Sequence, residues 1–242
     1  MPRSRNCRLP RQSTRERRRR YTTSSEGLRK PRTGHQRQMS DFSKRADRDK
    51  MHFAVVETKF GWIGLVSREG RLLYLFKPEE SKDACMSQTV WRAGQDATEA
   101  PEAFGDLPDR LRTYFDGEKV DFQDIAIDLD GYTEFQAKLI LQARSIPYGK
   151  VATYAELARA AGATNAARAA GQAMARNKTP IIVPCHRVVR SDGCAGGFAW
   201  GQHWKLALLE IEGIPISVQT CKREYTILAK SWRSRTKAGE LC

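Results

Sequence analysis

Apolar positions are sparse and without period over residues 1–50, and the pattern changes at Phe53. Three short β-type runs follow, at 53–56, 62–66 and 72–76, separated by the turn signals Phe60-Gly61 and Glu69-Gly70. Such runs predict an antiparallel meander. A polar, Ala-rich stretch comes next. Leu107, Leu111 and Phe115 then fall at four-residue spacing, which predicts a helix that ends at Asp116-Gly117. Together these elements predict a small α+β domain.

An acidic connector, 121–132, closes on Asp130-Gly131, and helix signals dominate beyond it. Thr133-x-x-Gln136 and Thr153-x-x-Glu156 are capping boxes, in which the Thr hydroxyl and the Gln or Glu side chain satisfy the orphan amides of a helix start. Phe135, Leu139, Ile140 and Ala143 line the buried face of the first helix; Tyr154, Leu157, Ala158 and Ala161 line the second. Gly162 interrupts the pattern, and Thr164 or Asn165 can cap a further helix over 166–174. The last two helices make a helix-turn-helix candidate. Its second helix carries mostly methyl groups, with Arg168 and Gln172 nearly its only long polar side chains. Small residues allow close approach to a narrow minor groove, with one Arg entering the base stack. The pattern equally fits an Ala-rich helix held in a core.

Charge divides the chain into three segments. Residues 1–50 hold 17 Lys+Arg against 5 Asp+Glu, residues 51–130 hold 9 against 16, and residues 131–242 hold 16 against 7. The total of +14 suggests a polyanion as partner, and the distribution assigns that role to the third segment, with the leader able to add non-specific attraction. An ordinary solvated surface would look similar. The leader, which includes the run 17–20 of Arg, is expected to be disordered, and Met39 and Met51 leave open a downstream start. No run approaches the roughly 20 apolar residues of a membrane helix, and the N-terminus has no apolar signal region. Neither membrane insertion nor secretion is indicated, so an intracellular location is expected.

Six scattered cysteines, Cys7, Cys85, Cys185, Cys194, Cys221 and Cys242, form no CxxC pair and no zinc-type spacing with His35, His52, His186 or His203. No metal site and no disulfide scaffold is expected. The question becomes whether one thiol is reactive. The apolar run 181–183, read as a buried strand, ends in Pro184-Cys185-His186-Arg187. A nucleophilic sulfur must be a thiolate, and a free Cys with pKa about 8.5 has little of that form at neutral pH, so a base or a positive field must supply it. His186 and Arg187 are candidates. On a strand, neighbouring side chains point to opposite faces, so His186 would reach the sulfur through a water. An inert core cysteine is the competing reading.

Pro184-Cys185-His186-Arg187 does not stand alone. Ile146-Pro147-Tyr148-Gly149, Ala167-Arg168-Ala169-Ala170-Gly171, Gly197-Phe198-Ala199-Trp200-Gly201 and Glu212-Gly213 occur around it in order. Over roughly 51–213, including Thr133-x-Phe135-Gln136, the chain resembles the methylated-DNA–protein-cysteine methyltransferases. The resemblance implies that Cys185 accepts an alkyl group, that His186 is its partner through a water, and that Glu212 orients His186. It implies that Tyr154 rotates the target phosphate and assists protonation of the leaving guanine. Arg168 would fill the vacated place in the duplex, with Gln172 beside it, and Asn177 would be the hinge between recognition helix and active-site strand. Val188, Phe198, Ala199 and Trp200 would form the base pocket, where Trp200 could exclude bulky alkyl groups.

The implied activity is DNA repair by single transfer from O6-alkylguanine in duplex DNA, with base flipping and no cofactor, by a monomer; O4-alkylthymine is a further possible substrate. A DNA-associated location is implied, cytoplasmic in a bacterium. The implied fold class is α+β: a disordered basic leader (1–50), a ribonuclease-H-like domain with acidic connector (51–130), a mainly helical winged helix-turn-helix domain (131–215) and a basic tail (216–242). Two rival functions remain. A DNA-binding regulator with a structural Cys185 would need several Arg, Asn or Gln for base readout, which the Ala-rich helix lacks. A thiol hydrolase would turn over repeatedly and would need an oxyanion site, for which no signal is present.

Overall fold

The turn residues Glu69 and Gly70 both sit at positive φ, 53° and 72°, the two-residue geometry whose twist suits a β-hairpin. It joins β2 (Gly61–Arg68) to β3 (Arg71–Leu75), and β1 (Met51–Thr58) pairs antiparallel with β2 from Met51↔Arg68 to Thr58↔Gly61. The computed structural model describes residues 50–219 and 224–227; nearly all of the expected leader and most of the expected tail lie outside them. A short β4 (Thr98–Glu99) adds parallel to β1, giving one sheet of order β3-β2-β1-β4. The predicted meander is therefore present, extended by one parallel strand.

Alternation along β1 and β2 sends side chains to two cores. Phe53 and Val66 meet Ala93 on one face, while Ala54, Val56, Ile63 and Leu65 meet Leu107, Leu111, Tyr114 and Phe115 on the other. The first face is covered by α1 (Lys82–Ala93), which occupies the polar, Ala-rich stretch for which no element is expected. Its buried residues are Cys85, Thr89 and Ala93, a four-residue spacing concealed by one polar member whose hydroxyl donates to the Cys85 carbonyl at 2.7 Å. The opposite face is covered by α2 (Leu107–Phe115), the helix predicted from its apolar stripe.

The acidic connector is strapped to the sheet edge. Leu72 N donates to Ala126 O (2.8 Å) and Asp128 N to Leu72 O (2.9 Å), while Arg68 bridges Asp128 and Asp130, each at 2.6 Å. From the other side Arg144, at the end of α3 (Glu134–Arg144), donates to the carbonyls of Phe122, Gln123 and Ile125. These bonds satisfy the main chain of a segment that has no strand of its own.

Both capping boxes form as read, at Thr133 for α3 and at Thr153 for α4 (Tyr154–Ala160). The start of α5 (Ala167–Ala175) differs. Its N-cap is Ala166, with no side-chain cap, because Asn165 is used at φ 68° to turn the chain. Ala170 and Ala173 are fully buried, whereas Arg168 and Gln172 on the same helix are exposed. One face of this helix is packed in the core, and the face that carries Arg168 and Gln172 is open.

The expected strand at 181–183 is not formed. Ile181 takes φ 74°, a conformation that costs a β-branched residue energy, and the segment turns back on itself with one bridge, Pro180↔Val183. Cys185–Arg187 is then a single 3-10 turn. Val188–Val189 (β6) pairs parallel with Ala152–Thr153 (β5) directly after it. The described residues end with α6 (Gln202–Ile211) and, inside the segment expected to be a tail, β7 (Ile216–Gln219) paired antiparallel with β8 (Glu224–Ile227). The whole is a mixed α+β fold with a four-stranded sheet, and six α-helices among the described residues.

Candidate active site

Cys185 is 3% exposed, between the bridge at Pro180↔Val183 and β6. The Asn177 amide Nδ2 donates to its Sγ at 2.9 Å and to Val183 O at 2.8 Å, and Asn177 Oδ1 accepts from Thr179 N. The amide therefore has a fixed orientation. Burial pushes the thiol up to about 11, against the opposing pull of the Asn177 hydrogen bond and the Lys205 charge. Left to itself the sulfur is protonated at neutral pH, so it needs a proton acceptor.

His186 is fully buried on the same turn. Its Nε2 lies 2.7 Å from Glu212 Oε1, so the carboxylate fixes the proton on Nε2 and leaves Nδ1 as the basic nitrogen. Nδ1 is buried and makes no hydrogen bond to the protein. Burial lowers the proton affinity of the ring and Glu212 partly restores it. Because the two residues share a 3-10 turn and not a strand, the opposite-face argument does not apply to them.

Glu212, the C-cap of α6, is the hub of this network. Arg187 donates from Nε at 2.9 Å to Oε2 and from its second terminal nitrogen at 2.8 Å to Oε1; Gly149 N donates to Oε2 at 3.2 Å. Tyr114 OH donates to Oε1 at 2.9 Å. Burial alone would raise the carboxyl, but His186 and Arg187 outweigh it and hold Glu212 at about 2. Arg187 also donates to Ile146 O, which ties the turn to the Ile146-Pro147-Tyr148-Gly149 string.

A cavity of about 340 Å³ opens onto Cys185, lined by Tyr154, Gly171, Met174, Ala175, Gly197, Phe198 and Ala199 as well. Its size lies at the small end of the roughly 300–1,000 Å³ typical of small-molecule sites. Tyr154 occupies the first turn of α4, and its phenol is pushed upward by burial and by Cys185. Lys205 of α6 is fully buried, donates to Val188 O at 2.6 Å and lies 5.9 Å from the Tyr154 ring centre. Burial lowers it to about 8.

The fold thus brings together Cys185, Tyr154, Phe198 and Ala199 around the cavity, with His186 and Glu212 behind the thiol. Asn177, expected as a hinge, also touches the sulfur. Val188 and Trp200 do not line the cavity: Val188 is buried beneath it, and Trp200 packs between Phe198 and Trp204 at centroid distances of 5.8 and 6.3 Å. Arg168 and Gln172 stand outside on the exposed face of α5. Sequence reading missed Tyr114 and Lys205. Lys205 has a signal in hindsight, a lone cation on the Leu208 and Leu209 side of an apolar helix; Tyr114, at i+7 from Leu107 and i+3 from Leu111, shares their buried face, a pattern that marks it for the core and says nothing of Glu212. Among the described residues no group of three or more His, Cys, Asp or Glu could hold a metal ion, and no helix is long and apolar enough to cross a membrane.

The described residues thus hold a buried thiol in the wall of a cavity beside a small-residue helix, together with a buried His186–Glu212–Arg187 network. Residues 134–214 match the family described as 6-O-methylguanine DNA methyltransferase, DNA binding domain. The methylated-DNA–protein-cysteine methyltransferase of Mycobacterium bovis is 37% identical over 162 residues, which are 67% of this chain and 92% of that protein. The enzyme of that name from Methanothermobacter thermautotrophicus is 43% identical over 119 residues, 49% of this chain and 66% of the relative. Mycobacterium tuberculosis OGT, solved in complex with DNA, superposes with a TM-score of 0.56 at 35% identity, covering 66% of this chain and 92% of that one. The chain belongs to the methylated-DNA–protein-cysteine methyltransferase family.

Proposed function

We propose that the chain repairs duplex DNA by moving the alkyl group of O6-alkylguanine onto Cys185 Sγ, once per molecule. The observation that carries this reading is the cavity that has Cys185 in its wall and Tyr154 beside it, with the His186–Glu212 pair behind the sulfur. The names of the relatives support the substrate class.

The alkyl carbon is out of reach inside a duplex, so the damaged nucleotide is turned out of the stack into the cavity, at a cost of a few kcal/mol. Arg168, exposed on α5, takes the vacated place, and Gln172 and Asn177 support that helix and its exit. The thiol proton passes through a water to His186 Nδ1. The thiolate attacks the alkyl carbon; the S–C bond forms, the C–O6 bond breaks, and its electron pair goes to guanine. Tyr154 delivers the proton that the departing guanine needs, and the imidazolium proton restores the phenol. Phe198 and Ala199 hold the base, with Val188 and Trp200 supporting them from behind. A thioether is a poor leaving group, so the protein is spent.

In this reading 131–215 is a winged helix-turn-helix unit that does the chemistry, 51–130 a ribonuclease-H-like buttress, and the basic segments 1–50 and 216–242 auxiliary. The chain acts as a monomer. O4-alkylthymine carries its alkyl carbon on an exocyclic oxygen too, and belongs in the same assay.

The test is intact mass after mixing with excess duplex that contains one O6-methylguanine, with Cys185→Ala as control. One added methyl per chain, absent from the control, is expected. Unchanged mass with the duplex still bound would reject the reading in favour of a DNA-binding regulator; repeated turnover of an ester would favour a thiol hydrolase.

A further inference from the structure

Tyr114 belongs to α2, in the half of the chain for which the sequence offers no site residue and outside the matched segment 134–214. Yet its side chain ends in the acid–base network. The ring is fully buried, and Phe115, Phe122 and Tyr148 meet it edge-on at centroid distances of 5.7, 6.0 and 6.3 Å. Those contacts aim the hydroxyl at one place. It donates to Glu212 Oε1 at 2.9 Å and stands 3.4 Å from His186 Nε2.

The direction of that bond is fixed. A phenol buried against an ionised carboxylate keeps its proton, because ionisation would set two negative charges side by side in a dry site. Glu212 Oε1 then accepts from three sides: Tyr114 OH, Arg187 and His186 Nε2. Oε2 accepts from Arg187 and Gly149. With its lone pairs engaged, the carboxylate has no second orientation available. It presents one direction to Nε2–H, and the rigid imidazole carries that direction through to Nδ1 on the far edge of the ring. A carboxylate lacking the Tyr114 bond could turn about the Arg187 fork, and the imidazole would follow.

We propose that Tyr114 is a positioning residue for alkyl transfer: its hydroxyl locks Glu212 Oε1, and through it the Nε2–H form of His186, so that the N-terminal half completes the machinery borne by the C-terminal half. The inference rests on the alkyl-transfer reading above. A ring that only fills space predicts that phenylalanine would serve equally well.

The experiment compares Tyr114→Phe with the unaltered full-length chain, reading methyl transfer from an O6-methylguanine duplex by mass at successive times from pH 6 to about 10.5. The variant is expected to reach one methyl per chain with unchanged affinity for the duplex, but about tenfold more slowly near pH 7.5, within the hundredfold or more that a positioned base contributes. That deficit should shrink to about twofold near pH 10.5, where a thiol with pKa about 11 begins to ionise unaided. Combined with Glu212→Gln, the Tyr114→Phe change should cost little more, since the carboxylate it acts through is gone. An equal deficit at every pH would assign Tyr114 to packing alone and overturn the proposal, as would no deficit. Should Tyr114→Phe fail to fold, 15N-labelled histidine in the unaltered chain decides: an Nδ1–H form of His186 would overturn the lock, and an Nε2–H form is the result expected. If the unaltered chain takes up no methyl at all, the alkyl-transfer reading itself has failed, which the tautomer measurement keeps distinct.

Discussion

The Asn177 amide stands 2.9 Å from Cys185 Sγ and 2.8 Å from Val183 O, so a single side chain two residues past α5 holds both the Cys185 sulfur and the turn that carries it. Its donated hydrogen bond favours the thiolate over the thiol. Asn177→Ala should therefore raise the thiol above about 11 and slow transfer near neutral pH. It should also lower stability by about 1–3 kcal/mol, because a buried carbonyl loses its donor. Thermal unfolding and a pH series of transfer rates check the two effects separately.

The Glu212 carboxyl ionises at about 2 in the folded chain against 4.5 for a free glutamate. A depressed carboxyl contributes stability that is fully present above about 4.5 and is lost as pH falls through about 2. Glu212→Gln should flatten the acid limb of the melting temperature in that window. At neutral pH it should cost about 3–5 kcal/mol, since Arg187 would be left buried without its partner. Calorimetry from pH 2 to 7 reads both.

Lys205 is charged at neutral pH although fully buried, and its folded value of about 8 lies below the free value of 10.5. The unfolded chain thus holds the extra proton between these limits, so stability rises as pH increases from about 8 to 10.5. In a Cys185→Ala background, which removes the titration of the thiol itself, Lys205→Met should abolish that rise. With Cys185 present, Lys205→Met should slow transfer by withdrawing the positive field from the sulfur. Chemical denaturation across pH and the mass assay provide the readouts.

Arg168 is exposed and forms no part of the core. Arg168→Ala should leave the melting temperature within the range of about 0.5 kcal/mol usual for surface changes. Transfer from duplex DNA should fall by about tenfold or more while transfer from a single-stranded O6-methylguanine oligonucleotide is unaffected, because only the duplex needs its vacated place filled. Equal losses on both substrates would reject the finger role.

Gly64 on β2 lies where α1 crosses the sheet. A Cβ built there would sit 1.9 Å from Thr89 Oγ1 and 2.9 Å from the Phe76 ring. Gly64→Ala should destabilise the chain by about 1–3 kcal/mol through overpacking, with no effect on the rate at saturating duplex by the protein that remains folded. Denaturant unfolding together with the mass assay checks this.

What the sequence revealed followed the reach of each interaction. The capping boxes at Thr133 and Thr153 were legible because both partners lie within one helical turn. The hairpin at Glu69-Gly70 was legible for the same reason. Helix α1 was hidden because Thr89, at the centre of its buried stripe, satisfies its own hydroxyl within the helix and so reads as a surface residue. The turn at Ile181 was hidden because a β-branched residue is a poor candidate for positive φ, and tertiary contacts impose that conformation. Cys185 and His186 were legible as neighbours, though with an inert core cysteine as the competing reading, and Glu212 was named only through the resemblance that the ordered motifs carry. Tyr114 shares the buried face of Leu107 and Leu111, but its partners lie 72 and 98 positions further on, at His186 and Glu212, and no local pattern announces them.

The near-complete burial of Cys185 has a bearing on time as well as on chemistry. Bulk thiols, peroxides and stray electrophiles meet a neutral, almost fully buried sulfhydryl, in a chain that on the alkyl-transfer reading has one use to give. On that reading the molecule is kept like an unstruck match: its shelf life depends on how rarely the cavity admits anything other than the alkyl group.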